Sequence, residues 1–161
     1  QLRIDNYELR EGGNAILKFE IRNSKFEIML RLEIVTPERR ILDTEVDSVT
    51  VPTASGEVGI LPSHASLVSA IKPGILVYTI KGTTDKLAVS GGFLEVNANK
   101  VAVLADTAET AEEIDIDAAR STRDEAEKAF AAVAAGSLSE TEAAREQLDA
   151  ANVRLQLAGG R

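Results

Sequence analysis

Near Asp106 the spacing of apolar residues changes from every second position to the three-and-four spacing of a helix, and this break limits the fold more than any other feature. Before it, Leu30, Leu32 and Ile34 alternate with Arg31, Glu33 and Val35 until Thr36-Pro37 interrupts, and Val49 and Val51 face one way before Pro52–Gly56 turns the chain. Turn residues recur every 8 to 12 positions or so, the rhythm of a β-sandwich or barrel. Lys72-Pro73-Gly74 reads as a tight reversal between Leu67–Ile71 and Ile75–Ile80, with Pro fixing φ and Gly supplying φ > 0. Gly82–Asp85, Gly91-Gly92 and Asn97-Ala98-Asn99 mark further turns or bulges around Leu87–Ser90, Phe93–Val96 and Val101–Leu104. About eight to ten short strands follow, packed as two sheets.

Beyond Asp106, alanine is dense and glycine thins out. Asp117–Ala135 contains neither Pro nor Gly, and Ala119, Ala126, Phe130 and Val133 share one helical face, with Gly136 placed to end the helix. Ser139 with Glu142 has capping-box spacing, which predicts the start of a second helix whose stripe is Ala144, Leu148, Ala151 and Leu155. The expected fold class is therefore β + α: an N-terminal β-sandwich followed by an antiparallel two-helix hairpin. The hairpin faces are mostly alanine, so at roughly 25 cal/mol per Å² they bury little apolar area per turn. Two helices held so weakly either separate or form a permanent small helical domain, and composition does not choose between them.

Composition removes several functions. With Lys+Arg 18 against Asp+Glu 26 and a net charge of −8, the chain lacks the positive surface that nucleic-acid binding requires. It has no cysteine for a thiol nucleophile or thiolate ligand, and one histidine, His64, cannot build a multi-His zinc site. No apolar run nears the roughly 20 residues that span a bilayer, so direct membrane insertion is not expected. His64 and Glu57 have no recognisable nucleophile or metal set beside them, which argues against a hydrolase.

The first 28 residues have a different grammar. They echo Lys18-Phe19-Glu20-Ile21 as Lys25-Phe26-Glu27-Ile28 and balance five basic against five acidic side chains. Met29, the one methionine, opens the first clear strand. The expectation is a start at Met29 with 1–28 as an extension; the alternative is a flexible tail with an added edge strand at Ala15–Ile21. The expected division is 1–28 extension, 29–112 sandwich and 113–161 helical hairpin.

Four runs then stand in one order: Gly56-Glu57-Val58-Gly59-Ile60-Leu61-Pro62-Ser63-His64-Ala65; Ile71-Lys72-Pro73-Gly74; Ser90-Gly91-Gly92-Phe93-Leu94-Glu95-Val96; and Val101-Ala102-Val103-Leu104-Ala105-Asp106-Thr107-Ala108. With Ile34–Arg39 near the start, they closely resemble the ε subunits of bacterial F-type ATP synthases, over residues 30 to about 157. The resemblance implies a non-catalytic rotor subunit that needs no cofactor, with a sandwich that holds the γ subunit and rests on the c ring. It implies a hairpin that folds down or extends toward the catalytic α and β subunits to obstruct ATP hydrolysis. It places the chain peripherally at the cytoplasmic side of a bacterial inner membrane, supporting the coupling of proton flow to ATP synthesis.

Residue by residue, the resemblance makes Glu57, read as a solvated turn carboxylate, the contact to the c ring. It makes His64 the contact to γ, in a loop where Ser66 replaces a proline common in relatives. Gly91-Gly92 fits neither phosphate-loop motif, so a turn is expected there. Ile116-Asp117-Ala118-Ala119-Arg120 resembles the opening of a nucleotide-binding motif, giving Asp117 and Arg120 as a weak nucleotide contact and an ATP-sensing module as the alternative function. Eleven residues beyond Ile116, however, Glu127 stands where ATP-binding relatives have arginine, and a carboxylate repels a triphosphate. The plainer account makes Asp117 a complement to the helix dipole and Arg120–Asp124 an i,i+4 pair. From Ala118 onward six basic side chains face seven acidic ones, so any electrostatic brake rests on particular arginines.

Overall fold

The computed structural model describes residues 29–133 and 136–159; the expected extension over 1–28, with its candidate strand Ala15–Ile21, lies outside the described residues. Ten strands and two helices follow in order: β1 Leu30–Val35, β2 Arg40–Val46, β3 Ser48–Thr53, β4 Gly56–Ile60, β5 Leu67–Ala70, β6 Gly74–Ile80, β7 Thr83–Ser90, β8 Phe93–Asn97, β9 Lys100–Leu104, β10 Thr107–Thr110, α1 Ile116–Val133 and α2 Leu138–Gly159. They form two five-stranded sheets, β2-β1-β9-β8-β5 and β10-β7-β6-β3-β4, antiparallel except where β1 runs parallel to β9.

The alternation carries the fold. Leu30, Leu32 and Ile34 are fully buried, as are Leu94 and Val96 on β8 and Val101 and Val103 on β9; they meet Val49, Val51, Leu76, Leu87 and Val89 of the second sheet. Apolar side chains at every second position put one face of each sheet against the other, with the opposite parity outside.

Turn chemistry sets the connections. Lys81 and Gly82, both at positive φ (49° and 81°), make the two-residue reversal between Ile80 and Thr83, so of the Gly82–Asp85 stretch read as turn only Gly82 turns and Thr83–Asp85 open β7. Lys72-Pro73-Gly74 is not a hairpin: β5 pairs with β8 in one sheet and β6 with β3 and β7 in the other, so the segment carries the chain across the sandwich. Gly74 is required for closeness rather than positive φ, since a β carbon there would lie 2.5 Å from Pro52 Cβ. Gly91-Gly92 makes another crossing, from β7 to β8, and a β carbon on Gly92 (φ 87°) would clash with Leu104 O.

Asp115 caps α1, its Oδ1 accepting the Ala118 N–H at 3.0 Å. On the face read from the sequence, Ala119 and Ala126 are buried and Phe130 and Val133 half-buried. The capping box of α2 lies two residues earlier than its predicted position: Ser137 N–H donates to Glu140 Oε2 at 3.1 Å and Glu140 N–H to Ser137 Oγ at 3.4 Å. That arrangement, led by the Ser137 hydroxyl, holds the Glu140 carboxyl below its ordinary range. Ala144 and Ala151 are buried and Leu148 and Leu155 half-buried, as the stripe implied, while Leu157 and Ala158 join Ala88, Ile114 and Ala119 in a small second cluster between hairpin and sandwich.

Candidate functional site: an apolar outer face and two opposed tips

Outward positions of a two-layer sandwich are ordinarily polar. On the first sheet one end breaks this rule. Ala70, Phe93, Leu104 and Val35 stand side by side across β5, β8, β9 and β1, and Val68 lies in the next row opposite Glu95. Phe93 is 61% exposed, Leu104 53% and Val68 71%. Their parity on the pleat, opposite to buried Leu94, Val96 and Val103, keeps them off the core.

Around β1 and β2 the same face is closed by ion pairs. Arg31 reaches Asp43 at 2.9 Å, Arg40 reaches Glu33 at 3.2 Å and Asp43 at 3.3 Å, and Lys100 reaches Glu33 at 2.9 Å. Lys100 holds Glu33 below the ordinary carboxylate range, and Arg31 does the same for Asp43. These charges satisfy one another, so the face divides into a self-paired polar half and an apolar strip without a partner among the described residues.

Glu57 and His64 lie at opposite ends of the sandwich. Glu57 is the second residue of β4, exposed, facing Pro52 in register rather than sitting within the turn. The adjoining turn is tied by Thr53 Oγ1 donating to Gly56 O at 2.7 Å and by Ala54 N–H donating to Ala70 O at 3.0 Å, beside the Ala70–Phe93 row. His64 lies beyond the other end of β4, in a loop pinned by Ser63 N–H donating to Asn99 Oδ1 at 2.8 Å, with Ser63 itself at φ 66°. His64 Nδ1 is 2.8 Å from Ala65 O, a contact that the Nδ1-protonated tautomer makes as donor, leaving Nε2 to accept. No third titratable group joins either residue in a catalytic arrangement among their hydrogen bonds and ion pairs.

Asp117 and Arg120 meet each other at 3.5 Å, and Asp124 pairs with Arg123 rather than with Arg120. Neither Asp117 nor Arg120 lines the groove of about 780 Å³ between hairpin and sandwich. That groove is bordered by Arg39 and Arg154 but by five carboxylates, Glu38, Asp106, Glu109, Glu113 and Glu125, a lining that opposes a polyphosphate. Among the described residues no cluster of three or more His, Asp or Glu is arranged to hold a metal, and no helix is long and apolar enough to cross a membrane.

The apolar strip is the element sequence reading missed. Its signal was parity: Phe93, Leu104 and Val68 are apolar on the outward register of strands whose inward register is already apolar.

Comparison with known proteins places the chain. Residues 29–111 match the model of the family described as "ATP synthase, Delta/Epsilon chain, beta-sandwich domain". The chain is 50% identical over 102 residues to the ATP synthase epsilon chain of Carboxydothermus hydrogenoformans, covering 63% of this chain and 76% of that one. It is 50% identical over 107 residues to the epsilon chain of Nitratidesulfovibrio vulgaris, covering 66% and 80%. In fold it resembles a chain of the Euglena gracilis mitochondrial ATP synthase structure, with TM-score 0.65 at 24% identity over 93% of this chain and 88% of that one. With the sandwich matched across its length and the relatives half identical to it, the chain belongs to the ATP synthase epsilon chains, non-catalytic subunits of that complex.

Proposed function

We propose that the chain works as a central-stalk rotor component, joining the γ subunit to the c ring and helping couple proton flow to ATP synthesis. The observation that carries this reading is the unpartnered apolar strip of Val68, Phe93 and Leu104, bounded by self-paired charges. An apolar surface of this kind costs free energy in water unless a partner covers it, and γ is the partner for it. His64 meets γ from the Asn99 end of the sandwich, and Glu57, at the tip beside the Ala70–Phe93 row, meets polar loops of the c ring. Residues 29–112 and 113–161 act as two units, the second regulating ATP hydrolysis by extending toward the catalytic α and β subunits. The complex holds the chain peripherally at the cytoplasmic side of a bacterial inner membrane.

Co-purification with γ tests this. The full chain binds γ, and removing Glu113–Arg161 leaves that binding largely intact while changing ATPase inhibition; a folded chain that fails to bind γ overturns the reading. An ATP-sensing role is the weaker reading, because Asp117 and Arg120 pair outside a groove whose lining is net acidic. Calorimetric binding of ATP at millimolar concentration is the result that would restore it.

A further inference from the structure

We infer that Arg154 is an electrostatic latch that docks the hairpin on the sandwich, and that ionic strength sets how often the hairpin lets go. Apolar contact between the two parts is slight. Among the described residues of α2, Leu157 is the one buried side chain larger than alanine; with the half-buried Val153 and Leu155 it packs on the small cluster around Ala88 and Ile114. The open groove beside that cluster leaves the hairpin face without continuous packing.

Charge supplies what packing does not. Among the described residues, Arg154 is the one cation that the hairpin brings to the groove, against the sandwich carboxylates and Glu125 of its own α1. Its Nη2 donates to Glu109 Oε1 of β10 at 3.1 Å, and its Nε stands 2.6 Å from Glu109 Oε2 with the N–H not aligned on that oxygen. Both side chains are more than two-thirds buried, at 28% and 29% exposure. A second pair, Lys72 with Glu146, also joins sandwich to α2, but each partner is half exposed, so salt screens it readily. Undocking the hairpin breaks both pairs together and returns the charges to water. The equilibrium therefore depends on salt and, above all, on the sign at position 154.

The absence of native cysteine makes the test direct. Spin labels on the exposed positions Lys86→Cys and Gln156→Cys in the full chain report the distance between β7 and the end of α2. Raising salt from 0.05 M to 0.5 M is expected to increase the long-distance population. Arg154→Glu is expected to increase it about fivefold at low salt, the upper end for an incompletely buried pair, and Lys72→Glu by less. The charge-swapped double variant Glu109→Arg with Arg154→Glu is expected to restore the short distance, which also separates latch loss from misfolding. A distance distribution indifferent to salt and to Arg154→Glu overturns the inference, as does a double variant no more closed than Arg154→Glu alone.

Discussion

Phe93→Ala isolates the apolar strip from everything else the sandwich does. A phenylalanine presents on the order of 200 Å², and Phe93 is 61% exposed, so about 120 Å² of it stays in water in the isolated chain. Covering that area at about 25 cal/mol per Å² is worth about 3 kcal/mol, which corresponds to about a 100-fold rise in Kd for γ; incomplete coverage makes this an upper bound. The same exposure means the substitution opens no cavity, so thermal unfolding of the free chain should move little. Titration calorimetry of the chain with γ reads the affinity, with Arg31→Ala as the comparison, because Arg31 lies on the self-paired half of the same face. If Phe93→Ala weakens binding less than about threefold, or less than Arg31→Ala does, the strip is not where γ binds and the reasoning from exposed apolar area fails.

Three further outcomes follow from local geometry. Gly92→Ala should destabilise the sandwich by about 2–3 kcal/mol or more, because φ is 87° and the new β carbon would meet Leu104 O; a melting temperature unchanged from wild type would contradict it. Ser137→Ala should cost the hairpin about 1 kcal/mol and Ser139→Ala almost nothing, because Ser137 makes the reciprocal bonds with Glu140; helical circular dichroism during thermal melting compares the two. Glu113 is held below the ordinary carboxylate value of about 4.3, first by the Thr110 N–H and then by Arg39. On acidification the unfolded chain therefore takes up that proton first. The stability Glu113 confers is complete above the ordinary value and is lost as pH falls toward and through its lowered folded value. Glu113→Gln should flatten that acid limb in denaturant titrations between pH 5 and pH 3, and an identical limb in both proteins would refute the assignment.

The parts of this fold that were legible from sequence are those in which a local signal has one structural meaning. Alternation in Leu30–Ile34 and Phe93–Val96 fixes which side chains point inward whatever the strands pair with, so the sandwich core could be read before any contact was known. Lys72-Pro73-Gly74 has two meanings, since the same residues reverse a hairpin or carry the chain between sheets; the choice is made by the pairing of Leu67–Ala70 with Phe93–Val96, more than twenty positions away. Ser137 and Ser139 each stand three residues before a glutamate, and α1 ending at Val133 decides between them. The Arg154–Glu109 pair spans 45 positions and left no local trace. The outer strip is a different case. Nothing in folding asks Phe93 or Leu104 to be apolar on the solvent register, and a polar side chain there would satisfy the strand equally well. An apolar residue on a parity that folding leaves unconstrained is therefore the sequence mark of a surface shaped by a partner, and here that mark coincides with the face on which the proposed γ contact rests.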